Sequence, residues 1–288
     1  MSKVAVLTDS ACDISPELQQ KYGIDILPFY IAVDGKSYTE REDFTNEEYY
    51  DMLTKCEGIP VTSQITPMRF LEQFARYDEE GYTDVLYVAI NSTGSNTYQN
   101  AVLASRQYQE EHPDSHLKFH IVDSHTYSMT YGWPVCQAAR KLKNGADVRD
   151  VVEYLEERFA CAEVALSVYT LRFIKKSGRI SAAAAFAGEL LGLRPIISII
   201  DGETATPAKV RGDLSVIPGI VKYVKTRIQP GTPYLVGSTD EENGKMLAKL
   251  CKKELGYGPE MLFSIGAAVA TNTGPNAVAV VFDGPKRR

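Results

Sequence analysis

Apolar positions in the first half of the chain come as short runs, each followed by a stretch with helical spacing. Val4–Leu7 is such a run, ending at Thr8-Asp9-Ser10, and Ser15-Pro16 then pairs an N-cap residue with proline at the first helical position. Ile24–Val33 reads as a second strand stopped by Asp34-Gly35, with a short hairpin continuing through Tyr38. Thr45-Asn46-Glu47-Glu48 has the spacing of a capping box and opens a helix carrying Tyr49, Met52 and Leu53. Thr66-Pro67 opens another, with Phe70, Leu71 and Phe74 on its buried face. Asp84–Ile90 and Leu117–Val122 read as further strands. Helices are predicted over Ser95–Glu111, Gly132–Leu142 and Val148–Phe159. Such alternation implies a mostly parallel sheet with helices on both faces.

The rhythm changes near residues 155–165. Val164–Tyr169 is strand-like, Leu171–Lys176 helical, with a stop at Ser177-Gly178, and Ser181 can cap a helix over Ala182–Leu191. Leu193–Ile200, Asp201-Gly202 and Thr204–Val210 read as a hairpin whose turn is Asp-Gly. A helix over 213–227, a strand Tyr234–Gly237, a Thr239–Glu242 capping box with its helix to Leu255, and strands near Met261–Ile265 and Ala277–Phe282 complete the chain. The expectation is an α/β chain of two domains: residues 1–160, with a parallel sheet, and residues 161–288, an α+β unit.

Composition narrows the function. With 288 residues, 44% hydrophobic and 24% charged, the chain is an ordinary globular protein, and no apolar run approaches the roughly 18 residues needed to span a bilayer. Met1-Ser2-Lys3 leads straight into a strand, so a cytoplasmic location is expected. Five scattered cysteines and four histidines clustered around Pro113 offer neither a disulfide framework nor metal-ligand spacing. The net charge of −6 disfavours nucleic acid as a partner. It conceals a −12 first half (residues 1–160) and a +6 second half, which could attract each other or offer a basic face to an acidic partner.

Hydroxyl and amide residues gather where the alternating fold puts strand ends: Thr8-Asp9-Ser10, Thr62-Ser63-Gln64, Asn91–Thr97 and Asp123-Ser124. Ligands of open α/β sheets bind there, and Ser95 would lie at a helix N-terminus suited to an anion. There is no GxGxxG, Walker A or GxSxG sequence, so neither nucleotide binding nor a hydrolase elbow is indicated. Arg172, Lys175, Lys176 and Arg179 share one face if their helix continues to Arg179, making a basic patch that is either a solvated helix face or a surface for docking an acidic protein or positioning phosphate. Arg211 and the Thr271–Pro275 turn are further candidates for holding an anion. Three classes stay open: a binding protein, a small-molecule acyl or phosphoryl enzyme using Asp9 and Asp123 as acid/base or magnesium ligands, and a lipid-sensing adaptor.

Taken together, these segments resemble the DegV family over essentially the whole chain. The resemblance rests on Thr8-Asp9-Ser10 with Asp13, Thr62–Pro67, Ser95–Ala101, Asp123-Ser124, Lys176–Ile180, Leu193–Ile196 and Thr273-Gly274-Pro275, in the family's order. It implies a Rossmann-like α/β/α domain joined to an α+β domain. The implied ligand is a long-chain fatty acid held between them, with its tail in an apolar tunnel. By motif, Thr62, Ser63 and Ser95 would bind the carboxylate, with Arg211 from the second domain and Asn272 at the C-terminal turn. The Arg179 segment would face a separate fatty acid kinase that phosphorylates the bound acid, a step in bacterial phospholipid metabolism. No cofactor and no catalysis by the chain itself are implied, and membrane contact would be transient at most. Burying roughly 15 methylenes at about 0.8 kcal/mol each gives on the order of 12 kcal/mol before ordering costs. Ala182–Leu193, with Phe186, Leu190 and Leu191, and Ile196–Ile200 could line the tunnel. Asn272 stands where the family usually has histidine, Asn96 where it has the glycine after the site serine, and Ser177 where it has the first of two glycines. Asparagine can hydrogen-bond a head group but cannot carry its proton.

Overall fold

The computed structural model describes residues 3–179 and 192–287. The first half begins with β1 (Val4–Asp9), α1 (Pro16–Tyr22) and β2 (Ile24–Leu27), then β3 (Tyr30–Val33) and β4 (Lys36–Thr39). It continues through α2 (Asn46–Lys55), β5 (Val61–Ser63), α3 (Pro67–Glu79), β6 (Asp84–Ala89) and α4 (Thr97–Glu111) to β7 (Lys118–Asp123), α5 (Met129–Lys143) and α6 (Val148–Phe159). Four strands form a wholly parallel sheet in the order β2-β1-β6-β7. Helices α3 and α4 pack together on it, as do α1, α5 and α6, so the sheet is flanked by helices.

The single strand expected over Ile24–Val33 is two strands in two sheets. Proline has no N–H to give a ladder, so Pro28 ends the pairing with β1. The Phe29 amide instead donates to the Ser10 hydroxyl at 2.9 Å, and the chain turns into a small antiparallel sheet, β4-β3-β5. The Thr45 box is present in full. Thr45 Oγ1 accepts from the Glu48 amide, and Glu48 returns the bond to the Thr45 amide.

The second half supplies β8 (Ala162–Val168), α7 (Ile174–Ser177), β9 (Leu193–Ile200), β10 (Glu203–Arg211), α8 (Val216–Lys225) and β11 (Tyr234–Ser238). After these come α9 (Glu241–Leu255), β12 (Met261–Ser264), α10 (Ala267–Thr273) and β13 (Ala277–Asp283). Its strands make one mixed sheet, β10-β9-β8-β13-β11-β12. The β9–β10 turn is as expected: Asp201 and Gly202 have φ of 54° and 80°, the left-handed pair a two-residue hairpin requires.

Three local readings need correction. Asp240, not Thr239, caps α9, accepting from the Asn243 amide at 2.8 Å, while Thr239 Oγ1 donates to the Pro275 carbonyl. Thr271, Asn272 and Thr273, expected in a turn, are the last residues of the short helix α10; the chain turns only at Gly274. Helix α7 ends at Ser177 because Gly178 takes φ 69°, so the basic patch is not one helix face. The helix expected over Ala182–Leu191, with Phe186, Leu190 and Leu191, lies outside the described residues.

Candidate functional site

Period two sorts the faces of the central strands of the mixed sheet. On β13, Val278, Val280 and Phe282 join the core under α8 and α9, while Ala277, Ala279 and Val281 face the first half. On β8, Ala165 takes the first side and Val164 and Leu166 the second; on β9, Ile196 and Ile199 divide the same way. The face toward the first half is thus built partly of alanine, and a cavity of about 280 Å³ lies over it. Its floor is Val164, Leu166, Ile199, Ala277, Ala279 and Val281. Phe263, Ile265, Ala268 and Val269 form one flank, and Phe29 and Ile90 come from the first half.

The polar part of the wall comes from β5 and the residue after it, from the β6–α4 loop and from α10. Thr62 and Gln64 follow β3 through the β5 pairing, Thr93–Asn96 link β6 to α4, and Asn272 and Thr273 end α10. Two side chains of α4 bring the first two together. Thr97 Oγ1 accepts from the Ile65 amide at 3.2 Å, and Asn100 Nδ2 donates to the Ile65 carbonyl at 2.7 Å. Ser95 Oγ lies 2.9 Å from Thr97 Oγ1. Asn272 Nδ2 donates to the Ala268 carbonyl at 3.0 Å, leaving its second N–H. Fully buried Asn91 ties this rim to the hairpin turn, its Nδ2 meeting Thr93 Oγ1 and Tyr127 Oη at 2.9 Å and the Gly202 carbonyl at 3.3 Å. A Cβ at Gly94 would sit 2.3 Å from Tyr127 Oη, so a larger residue there would displace the tyrosine ring. Thr93, Gly94, Tyr127 and Arg179 also border an open cleft of about 510 Å³, so the polar side is the cavity's opening.

Of the residues named from sequence, Thr62, Ser95 and Asn272 line this one cavity. Ser63 does not: adjacent residues of β5 point to opposite faces, and Ser63 is exposed. Arg211 is exposed at the end of edge strand β10, with β9 between it and β8, and is not in the wall. The basic set divides. The Arg172 guanidinium holds the carbonyls of Cys56, Glu57 and Gly58 at 2.8, 2.7 and 2.9 Å, clamping the segment whose amides Asp34 holds from the other side. Lys175 and Lys176 are exposed. Arg179, bonded to the Ser177 carbonyl at 2.9 Å, is the one charged side chain in the cavity wall among the described residues. Tyr127 and Phe263 were not singled out beforehand; an aromatic residue in a loop or strand carries no local mark of facing a cavity.

The carboxylates proposed for an enzyme are occupied elsewhere. Asp9 is fully buried and accepts from Tyr131 Oη at 2.6 Å, Tyr87 Oη at 3.1 Å and the Ile90 amide at 2.9 Å. Burial outweighs those bonds and pushes its carboxyl up to about 6. Asp123 accepts from the Ser92 and His125 amides. Neither lines the cavity, and no cluster of three metal-capable side chains occurs among the described residues. Asp13 and Glu40, both raised by burial, take Ser128 and Ser10 hydroxyls. Glu40 also accepts from the Ala268 amide at 2.7 Å, which fixes α10 and the Asn272 it carries.

Comparison with known proteins agrees with this architecture. The family model for DegV, "Uncharacterised protein, DegV family", matches residues 3–284. A DegV domain-containing protein of Clostridium perfringens is 31% identical over 282 residues, covering 97% of this chain and 98% of its own. A Thermotoga maritima protein whose structure revealed fatty acid binding superposes with a TM-score of 0.83 at 27% identity, covering 99% and 100% of the two chains. A stearic-acid-binding protein of Eubacterium ventriosum gives a TM-score of 0.87 at 26% identity, with 98% of each chain covered.

Proposed function

The chain belongs to the DegV family, and from that premise we propose that it binds a long-chain fatty acid in the cavity over β8, β9 and β13. The observation that carries the reading is the cavity's polarity. Its floor and flanks are aliphatic and aromatic, while its opening holds hydroxyls, amides and one guanidinium. That is complementary to an amphiphile with a single anionic end. Thr62 and Ser95 would donate to the carboxylate, with the remaining Asn272 N–H, and Arg179 would supply the positive charge that the family resemblance assigned to Arg211. Hydrogen bonds to a charged group contribute about 1.5–3 kcal/mol each, enough to orient the head group, whereas the buried methylenes supply most of the affinity. Solved relatives that bind fatty acids at 26–27% identity support the same assignment.

The same reading makes the chain a non-catalytic carrier. The bound carboxylate would lie near the open cleft beside Arg179, where a separate fatty acid kinase could phosphorylate it, and exposed Lys175 and Lys176 would meet that partner. The site would then lie between the domains 1–160 and 161–288. Native mass spectrometry of protein purified from bacteria should show a co-purified fatty acid. A protein that arrives empty, and stays empty with added palmitate or oleate, refutes the binding. Charge reversal at Lys175 and Lys176 should abolish kinase turnover while leaving lipid bound; undiminished turnover refutes the docking assignment.

A further inference from the structure

Away from the polar opening, the cavity meets a second, smaller one of about 50 Å³, and only Thr130 and Val281 border both. Thr130 lies in the first turn of α5 and is 2% exposed, yet its Oγ1 has no hydrogen-bond partner among the described residues. Nearby side chains are committed: Ser128 Oγ to Asp13, Tyr131 Oη to Asp9, and Ser124 Oγ to the Thr126 carbonyl. A buried hydroxyl left unpaired is unfavourable, and valine would occupy the same shape without that cost. A wall meeting only methylenes has no use for the oxygen.

Resting on the fatty-acid reading above, we propose that Thr130 recognises a hydroxyl group carried on the acyl chain, making hydroxylated long-chain fatty acids a ligand class of this cavity. A ligand hydroxyl can both donate to and accept from Thr130 Oγ1. The smaller cavity on the far side of Thr130 is bordered by Trp133, Pro134, Leu235 and Phe282 and by the paired Arg158 and Asp283. No residue borders both the open cleft and the smaller cavity, so this contact is separate from the carboxylate contacts at the opening.

The test is competitive displacement of a fluorescent fatty acid by stearate, 12-hydroxystearate, palmitate and 16-hydroxypalmitate, on the wild-type protein and on Thr130→Ser and Thr130→Val. At least one hydroxylated acid should bind about 3- to 10-fold tighter than its parent, the ratio a single net hydrogen bond gives. Thr130→Ser should keep the preference. Thr130→Val should abolish it and bind the parent acid at least as tightly as the wild type; Thr130→Ala serves if valine disturbs folding. Parent acids that bind with no hydroxyl preference, or a preference surviving the loss of the Thr130 hydroxyl, overturn this inference and leave the fatty-acid reading standing. If no acid binds, both fall.

Discussion

Replacing Ala279 by leucine should separate the two faces of β13. Ala279 faces the cavity, whereas its neighbour Val280 is fully buried in the core under α8 and α9. An isobutyl group at 279 occupies the space of about three ligand methylenes, worth about 0.8 kcal/mol each, or about 2.4 kcal/mol of a long chain's affinity. That is about a 50-fold weaker Kd for palmitate. Fold stability should change little, because the new side chain enters open volume. Val280→Leu adds a single methylene in a filled core, and overpacking there costs about 1–3 kcal/mol. Isothermal titration with palmitate and decanoate, beside urea unfolding, reads both effects. Ala279→Leu should weaken palmitate far more than decanoate and leave the urea midpoint nearly fixed, with Val280→Leu showing the reverse. Equal destabilisation by both variants with unaltered palmitate binding would refute the assignment of faces.

Thr62→Val and Ser95→Ala should each weaken palmitate about 10-fold or more and its methyl ester by less, measured by displacement titration; equal losses for acid and ester would refute the carboxylate contacts. Asp9 gives a pH signature. Its folded-state pKa of about 6 stands above the ordinary 3.8, so its stabilising contribution is complete in acid and is lost as pH rises through 6. Between about pH 3 and about pH 8, urea unfolding of Asp9→Asn should therefore lose about 3 kcal/mol less than the wild type, at about 1.4 kcal/mol per pKa unit; parallel pH curves would exclude this. Arg172→Ala should release the 56–58 segment, raising amide hydrogen exchange at Glu57 and Gly58; unchanged exchange would exclude the clamp.

Elements with local chemical signatures were legible in the sequence. The Thr45 box and the Asp201-Gly202 turn each depend on a few adjacent side chains and appear as read, and the alternating first half gives the parallel sheet but not the small antiparallel one. The split at Pro28 was also available, since proline interrupts any ladder. Helix α10 was not. It has seven residues, no side-chain cap at Gly266, and a run of small residues that suits a strand equally well; a tertiary bond from Glu40 holds it. The site divides the same way. Thr62, Ser95 and Asn272 meet because α4 and Glu40 position their segments, which no spacing announces. Ser63 differs from Thr62 in the face its side chain takes, because successive strand residues point to opposite faces. The charge asymmetry gave little. Ion pairs between the halves, among the described residues, are Arg158–Asp283 at 2.7 Å and Lys286–Glu157 at 3.2 Å, and the first runs against the expected signs.

The central claim is that the cavity holds a fatty acid with its carboxylate at the opening and its tail over β8 and β13. A crystal structure with palmitate tests it most directly. Carboxylate oxygens should lie within about 2.6–3.2 Å of the Thr62 and Ser95 hydroxyls, with methylenes running along Leu166 and Ala279. A reversed chain, a chain bound elsewhere, or no bound chain at saturating palmitate would contradict it.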